Sequence, residues 1–432
     1  MKILLIGNGA RENALAWKIF NSPSFINTNS VLYAAPGNPG INKFATPINI
    51  HSTDIKSLKE FALKENIDFT VVGPEIPLSL GIVDEFEKEG LKIFGPRKSA
   101  AEIETSKVFS KDLMQKYGIP TAQYKVFTGE NLNELDSFVE KIKFPVVIKA
   151  DGLAAGKGVI ICNDSEEVNA CVKDLTETKI FGESGLSFVV EQFLTGNEVS
   201  LFVITDGEDY VILPSAQDYK RIFDEDKGKN TGGMGAFSPA HKYCDETILK
   251  KVEEKIIRPT LAALKNEGRE YKGCLYAGLM ISEDKEPFVI EFNCRFGDPE
   301  TQAVLTLIES DFLQLLIASA EGNLKDYNLV VKNAYAGCVV LASLGYPDEY
   351  KTGMLIEGLN EVPNDVLVFH AGTVERDGKI YTHGGRVLSV VSLSEKSFNS
   401  AFDNIYSAID TSINKIDFEN KYFRRDIGKK VL

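Results

Sequence analysis

PFVIEFNCRFGDPETQ, residues 287–302, carries the most chemically loaded pattern in this chain. Phe288, Val289, Ile290 and Phe292 are β-branched or aromatic and Pro287 marks the entry, which predicts a strand. Strand side chains alternate faces, so Glu291 and Asn293 are expected to point the same way, one pleat apart. A carboxylate and an amide oxygen side by side are hard donors that suit Mg²⁺ also held by nucleotide phosphates. Arg295 follows at the next odd position, and the chain then turns through Gly297, Asp298 and Pro299. Taken alone, a buried strand ending in a salt-bridged turn would account for the same residues. The rest of the chain favours a phosphoryl-transfer site.

Upstream, Ser106, Lys107 and Phe109 fall on a predicted helix closed by Tyr117-Gly118-Ile119-Pro120. Residues 144–149 and 159–162 read as strands joined by Ala150-Asp151-Gly152-Leu153-Ala154-Ala155-Gly156-Lys157-Gly158. This link is not a Walker A loop: its spacer is one residue short, Gly158 stands where a Ser or Thr belongs, and a strand follows instead of a helix. It reads as a glycine-rich hairpin that folds over phosphates, with Lys149 at its base and Lys157 near its tip. A plain surface hairpin is the alternative. Residues 188–190 lead into Glu191-Gln192-Phe193-Leu194, an irregular connector whose free backbone groups suit an adenine edge. Glu198 opens the next strand, 198–204, in position to accept from ribose hydroxyls. Gln217-Asp218-Tyr219-Lys220-Arg221 and Asn230-Thr231-Gly232-Gly233-Met234-Gly235-Ala236 suggest a loop enclosing a small charged substrate; a solvated charged turn is the alternative.

The first hundred residues alternate strands at 2–6, 30–35, 69–72 and 91–94 with helices at 11–20, 55–65 and 80–89. Glycine at each strand's carboxyl end describes an open parallel sheet with ligands beyond those ends. Gly7-Asn8-Gly9-Ala10-Arg11-Glu12 has two glycines of a dinucleotide loop, but Glu12 occupies the third position, where its bulk and charge oppose a pyrophosphate. The second strand ends in Ala34-Ala35-Pro36, with no acid for a ribose. A single phosphate or phosphoribosyl group held by the loop N–H groups and Arg11 fits better than NAD; turns needed only for folding are the alternative.

At 432 residues the chain suffices for two to four domains. A net charge of −14 argues against nucleic acid or an anionic membrane as partner. No apolar run reaches the roughly eighteen residues of a membrane span, and the start, MKILLIGNGA, is too short for a signal peptide. Six cysteines without a C-x-x-C pair predict buried, reduced thiols in a cytoplasmic protein. His51, His241, His370 and His383 lack metal-ligand spacing and read as structural.

These segments closely resemble the phosphoribosylamine–glycine ligase (glycinamide ribonucleotide synthetase) family, ATP-grasp enzymes of de novo purine synthesis. The resemblance runs along essentially the whole chain: IGNGARENALAW (6–17), VGPEIPL (72–78), KADGLAAGKGV (149–159), NTGGMGAFSPA (230–240), GGRVL (384–388) and, most specific, RFGDPETQ (295–302). Where that family usually has His after Arg-Glu, this chain has Asn13, which can still cap or hydrogen bond. The resemblance implies an α/β multidomain fold. Its parts are an N-terminal open parallel sheet, pre-ATP-grasp and Rossmann-like, over residues 1–103; an ATP-grasp large subdomain over 104–120 and 193–330; a small lid over 121–192; and a C-terminal α+β domain over 331–432. In that last part, strands at 335–342 and 366–371 and a helix near 396–413 are expected.

The activity implied is ligation of glycine to 5-phosphoribosylamine through glycyl phosphate, with ATP as the phosphoryl donor. Another ATP-grasp carboxylate–amine ligase or carboxylase is the alternative. The resemblance implies Mg²⁺ (or Mn²⁺) on Glu291 and Asn293, with Lys107, Lys149 and the Gly156-Lys157-Gly158 tip on the nucleotide phosphates. It implies adenine against Glu191, Phe193 and Leu194, with Glu198 on the ribose. Arg295 is expected on glycine's carboxylate or the migrating phosphoryl, Asp218 on its ammonium, and Lys220 beside them. Phosphoribosylamine is expected to bridge Gly9, Arg11, Glu12, Asn38 and Glu75 to the turn at Gly297 and Asp298. No nucleic acid or membrane partner is expected, and the chain is expected to be a cytoplasmic monomer.

Overall fold

The computed structural model describes residues 1–152, 158–178, 185–411, 413 and 415–431. The N-terminal sheet is parallel throughout, in the order Thr46–Pro47, Val31–Pro36, Lys2–Gly7, Phe69–Val72, Ile93–Phe94. Along the first strand Ile3 and Leu5 enter one core and Leu4 and Ile6 another, so both faces are covered and the run is uniformly apolar. The helix expected over 80–89 is two shorter ones, Glu75–Ser79 and Ile82–Glu87. Gly81, at φ +87°, breaks them apart.

The lid is an antiparallel sheet in the order Tyr124–Phe127, Phe188–Gln192, Val146–Ala150, Val159–Cys162, with its own core around Phe127, Val139, Val168 and Phe188. Facing it is a second antiparallel sheet: Tyr210–Ile212, Asn197–Thr205, Gly273–Ile281, Pro287–Asn293. Val199, Leu275, Val289 and Phe292 pack there against Val252, Ile256 and Leu264 of the helical layer behind it.

One departure from strict alternation matters for function. Glu291 pairs with Gly278 but Val289 pairs with Leu279, leaving Ile290 as an extra residue. Unbroken alternation from Val289 would put Glu291 in the core beside it. The bulge sends Phe292 there instead, and leaves Glu291 and Asn293 flanking it on the opposite face.

The C-terminal strands Tyr335–Ser343, Arg386–Ser394 and Val366–His370 do not form a sheet alone. Gly235–Ser238 pairs antiparallel with Tyr335–Ser343, and Gln217–Asp218 pairs with Gly235–Ser238. The boundary drawn at residue 330 therefore cuts through a continuous sheet, because backbone hydrogen bonding joins segments more than ninety residues apart. The closing helix is Phe398–Tyr406 followed by one wider turn, Ser407–Thr411, shorter than expected.

Every residue of the helix Glu300–Leu307 is buried. It packs against the helix Ala10–Phe20 and against Gly235–Ser238, Tyr335–Ser343 and Arg386–Ser394, so the PFVIEFNCRFGDPETQ segment ends where the domains meet. Just before it, the Phe296 ring lies 6.2 Å from Phe94, 5.8 Å from Phe202 and 6.0 Å from Phe312. All six cysteines are free and buried. Among the described residues no helix is long and apolar enough to cross a membrane.

Phe296→Ala should remove the ring shared by the N-terminal sheet and the large sheet, at a cost of about 3–5 kcal/mol. Denaturant titration should show a markedly lower midpoint; a loss under about 1 kcal/mol would mean that the surrounding rings close the gap.

Candidate active site

A cleft of about 660 Å³ separates the lid from the large sheet, a volume suited to a nucleotide. Val147, Val159 and Ile161 of the lid face Met280 and Val289 of the large sheet across it. Phe193 and Leu194 line it at the connector, and Glu198, Asp218, Lys220 and Glu291 are among its charged lining.

Lys107 opens the helix Lys107–Lys116, whose start is capped by Ser106 Oγ, which accepts from Phe109 N at 3.0 Å. Asp151, at the root of the glycine hairpin, accepts from Ser106 Oγ at 3.1 Å and from Val108 N at 3.2 Å, tying the hairpin to that helix. Lys111 stands one turn after Lys107 on the same face. It and Lys149 both form ion pairs with Glu191. Lys149 Nζ also donates to Ile290 O at 2.9 Å, and Lys111 Nζ to Thr121 Oγ1 at 2.7 Å. Burial works against the charge on Glu191, but Lys149 and Lys111 hold it below the usual carboxylate range. Burial pushes Lys111 down to about 8. The Glu191 carboxylate is thus committed to two lysines rather than turned toward a base. Gly158 O accepts from Ala150 N at 2.9 Å and closes the hairpin base; Gly156 and Lys157 lie outside the described residues.

Glu291 makes no hydrogen bond or ion pair among the described residues, yet it is firmly ionised. Burial would raise its pKa; Lys107, Lys220, Lys149 and Arg295 outweigh that and hold it at about 2. The Asn293 amide, nearly buried, likewise has no hydrogen-bond partner among them. No cluster of three His, Cys, Asp or Glu side chains able to hold a metal occurs among the described residues. Two open oxygen donors on one strand face are what Mg²⁺ needs when polyphosphate and water complete its shell, so the residues fit a shared cation.

Lys220 Nζ pairs with Glu198 Oε2 at 2.7 Å, while the Glu198 side chain still lines the cleft. Burial opposes the charge on Lys220, but Asp218 and Glu198 keep its pKa well above the ordinary value. Asp218 is pushed up to about 7 by burial, reinforced by Glu300 and Glu198 and opposed by Lys220.

Arg295 and Arg11 converge on Glu75. Arg295 Nε donates to Glu75 Oε2 at 3.3 Å and its Nη2 lies 3.0 Å from Glu104 Oε1. Arg11 Nη2 lies 3.9 Å from Glu75 Oε2, and its Nη1 donates to Phe296 O at 3.1 Å. Burial opposes ionisation of Glu75, but Arg295 and Arg11 hold it at about 2. Two residues expected to touch phosphoribosylamine are turned inward instead. Glu12 accepts from Gly9 N at 2.7 Å and from Arg11 Nε at 2.5 Å. Its side chain lies beneath the loop: a Cβ at Gly7 or Gly73 would come within 2.4 Å of Glu12 Cγ. The glycines make room for the glutamate, which braces the loop and blocks the dinucleotide geometry. Asn38 Nδ2 donates to Asn8 O at 2.8 Å and His370 O at 2.7 Å, while its Oδ1 accepts from Gly40 N and Ile41 N, both at 2.9 Å. Asn13 Oδ1 accepts from His370 N at 2.7 Å, another tie to the C-terminal domain. Burial lowers the His370 pKa to about 3, so it is neutral and structural.

Sequence reasoning missed Glu104, Lys111, Glu300 and Arg386. Lys111 was discoverable from its spacing to Lys107. Glu300 Oε1 accepts from Ser200 Oγ at 3.0 Å and Tyr276 Oη at 3.1 Å, and Arg386 Nη2 lies 3.0 Å from Asp298 Oδ2. Those partners, like those of Glu104, are remote in sequence, and no local pattern announces them.

Three family profiles match nearly the whole chain: the phosphoribosylglycinamide synthetase N domain at residues 1–104, its ATP-grasp (A) domain at 105–301 and its C domain at 336–430. Phosphoribosylamine–glycine ligase of Caldanaerobacter subterraneus subsp. tengcongensis is 48% identical over 428 residues, covering 99% of each chain. The crystal structure of phosphoribosylamine–glycine ligase from Thermotoga maritima matches with a TM-score of 0.83 at 35% identity, covering 99% of this chain and 100% of that one. The biotin carboxylase domain of Hydrogenobacter thermophilus 2-oxoglutarate carboxylase, 17% identical with a TM-score of 0.71 over 98% of this chain and 91% of that one, shares the fold alone. With an open N-terminal sheet, a cleft between two antiparallel sheets and these matches along its length, the chain belongs to the phosphoribosylglycinamide synthetase family, as its motifs led one to expect.

Proposed function

We propose that the chain ligates glycine to 5-phosphoribosylamine, giving glycinamide ribonucleotide, ADP and phosphate. The observation that carries this is the unpartnered Glu291, facing a cleft lined by Lys149 and Lys220 and held ionised by these lysines together with Lys107, in a chain of this family. In the first step a carboxylate oxygen of glycine attacks the γ-phosphorus of ATP, ADP leaves, and glycyl phosphate forms. In the second, the amine of phosphoribosylamine attacks the acyl carbon, phosphate leaves, and the nitrogen gives up a proton. Phosphorylation is needed because a bare carboxylate has no adequate leaving group.

Both reactants of the first step are anions, so the site must cancel repulsion and hold them in line. The ATP-grasp fold works with ATP and a divalent metal; Mg²⁺ or Mn²⁺ held by Glu291 and Asn293 would supply charge neutralisation when bound. Lys107 and Lys149 are assigned to the phosphates, Phe193 and Leu194 to the adenine, and Arg295 to the transferring phosphoryl. Asp218 distinguishes glycine from bicarbonate, the acid activated by an ATP-grasp carboxylase, since only glycine offers an ammonium to pair with it. On the phosphoribosylamine side, Arg11 and the turn at Gly297 and Asp298 remain the assigned contacts. We further propose a cytoplasmic monomer acting on small molecules alone; a net charge of −14 disfavours nucleic acid and anionic membranes.

Glu291→Ala should lower kcat by about 10²-fold or more with the circular dichroism spectrum unchanged. Near-normal turnover at saturating Mg²⁺ would remove the residue from the metal site. Because Asp218 titrates near 7 and acts ionised, kcat/KM for glycine should fall about tenfold per pH unit below that value and level off above it. Asp218→Asn should abolish this acid limb along with most of the activity; a limb that persists belongs to another group. ADP release should require glycine and phosphoribosylamine, and bicarbonate in place of glycine should give none.

A further inference from the structure

Tyr219 stands between Asp218 and Lys220, and its buried ring turns to the other end of the chain. Gly428 N donates to Tyr219 Oη at 3.0 Å. The Arg424 guanidinium lies 4.9 Å from the ring centre and Lys430 Nζ lies 4.7 Å from it. Both cations are themselves anchored. Arg424, fully buried, donates through Nη1 to Asp226 Oδ1 at 2.9 Å and Arg221 O at 3.0 Å, and through Nε and Nη2 to Asp426 at 2.8 and 2.7 Å. Lys430 Nζ pairs with Asp226 Oδ2 at 2.6 Å. The backbone completes the grip: Glu225 N donates to Asp426 Oδ2 at 2.8 Å and Arg425 N to Asp224 Oδ1 at 2.9 Å. Lys430 also lines the cleft alongside Lys220 and Glu291.

We infer that residues 424–430 are a clasp that positions Asp218 and Lys220 by holding the side chain between them and the Arg221–Phe223/Lys227–Asn230 hairpin after them. A strand of two residues has too few ladder hydrogen bonds to fix its own side chains; the two cations held against the Tyr219 ring supply what it lacks. Tyr219 and Lys430 are thus positioning residues for the glycine side of the site, an inference that rests on the reading of Asp218 given above. Arg424 is too deeply paired to test cleanly, since its loss leaves Asp226 and Asp426 uncompensated.

The test uses the full chain with Lys430→Met, Tyr219→Phe and Lys430→Arg, and follows two readouts. Amide exchange at Tyr219 and Met234, which bond to Gly235 O and Tyr219 O, reports the clasp; KM for glycine against KM for ATP reports its consequence. Lys430→Met and Tyr219→Phe should speed exchange and raise KM for glycine about tenfold, with KM for ATP within about twofold, and Lys430→Arg should restore both. Unchanged exchange in the first two variants overturns the clasp. So does an equal rise in both KM values, which would make Lys430 a nucleotide contact. Asp218→Asn is run beside them: no change in KM for glycine would overturn the Asp218 reading, while the exchange result still decides the clasp.

Discussion

A carboxylate shared by two arginines holds the working parts of this protein in register. Glu75 opens the short helix after the strand Phe69–Val72, Arg11 comes from the helix after the first glycine loop and Arg295 from just beyond the strand Pro287–Asn293. Charges so buried are tolerated only when each is paired, and removing one partner typically costs about 3–5 kcal/mol because the rest are left exposed to a low dielectric. Glu104 completes the set, accepting from Cys294 N at 2.7 Å and pairing with Arg295. The strand that carries Glu291 and Asn293 is thus referenced electrostatically to the domain assigned to the second substrate, and a shift of either is felt by both.

The same logic explains how a chain of net charge −14 builds a site for anions. Its cations are concentrated rather than numerous: Lys107, Lys111, Lys149 and Lys220 surround Glu191, Glu198 and Glu291. Glu191 and Glu198 are already matched by lysines, while Glu291 is held ionised at longer range and stays open. The arrangement separates acids that brace the cleft from Glu291, the acid proposed to share a metal with a nucleotide.

Much of this was legible in residue patterns, for physical reasons. Uniformly apolar runs ending in glycine gave the parallel strands, and Phe69–Val72 and the helix Ile55–Glu65 fall where patterning puts them. Oxygen donors two apart marked Glu291 and Asn293, which the strand does present on one face. What escaped was whatever depends on distant partners. The bulge at Ile290 is a property of a pair of strands, and one strand's sequence does not reveal it. Glu12 and Asn38 looked like ligand contacts because each lies close to glycines just past the carboxyl end of a parallel strand. Their side chains turn inward because the loop's own N–H groups and a carbonyl from His370 need partners. The strand Gly235–Ser238 lies within the ATP-grasp profile, and its hydrogen bonds lead on into the C-terminal sheet, a link no single segment reveals.

That shared sheet also sets a timetable for synthesis. Gly235–Ser238 leaves the ribosome roughly a hundred residues before Tyr335–Ser343, the strand it must pair with. At about 5–20 residues per second it waits some 5–20 seconds with one edge unsatisfied. The lid and the N-terminal sheet can close on their own neighbours in the meantime, but the half of the cleft bearing Asp218 cannot. Nascent chains therefore complete the lid and the large sheet, whose last strand ends at Asn293, before the segment bearing Asp218 gains its support from Tyr335–Ser343.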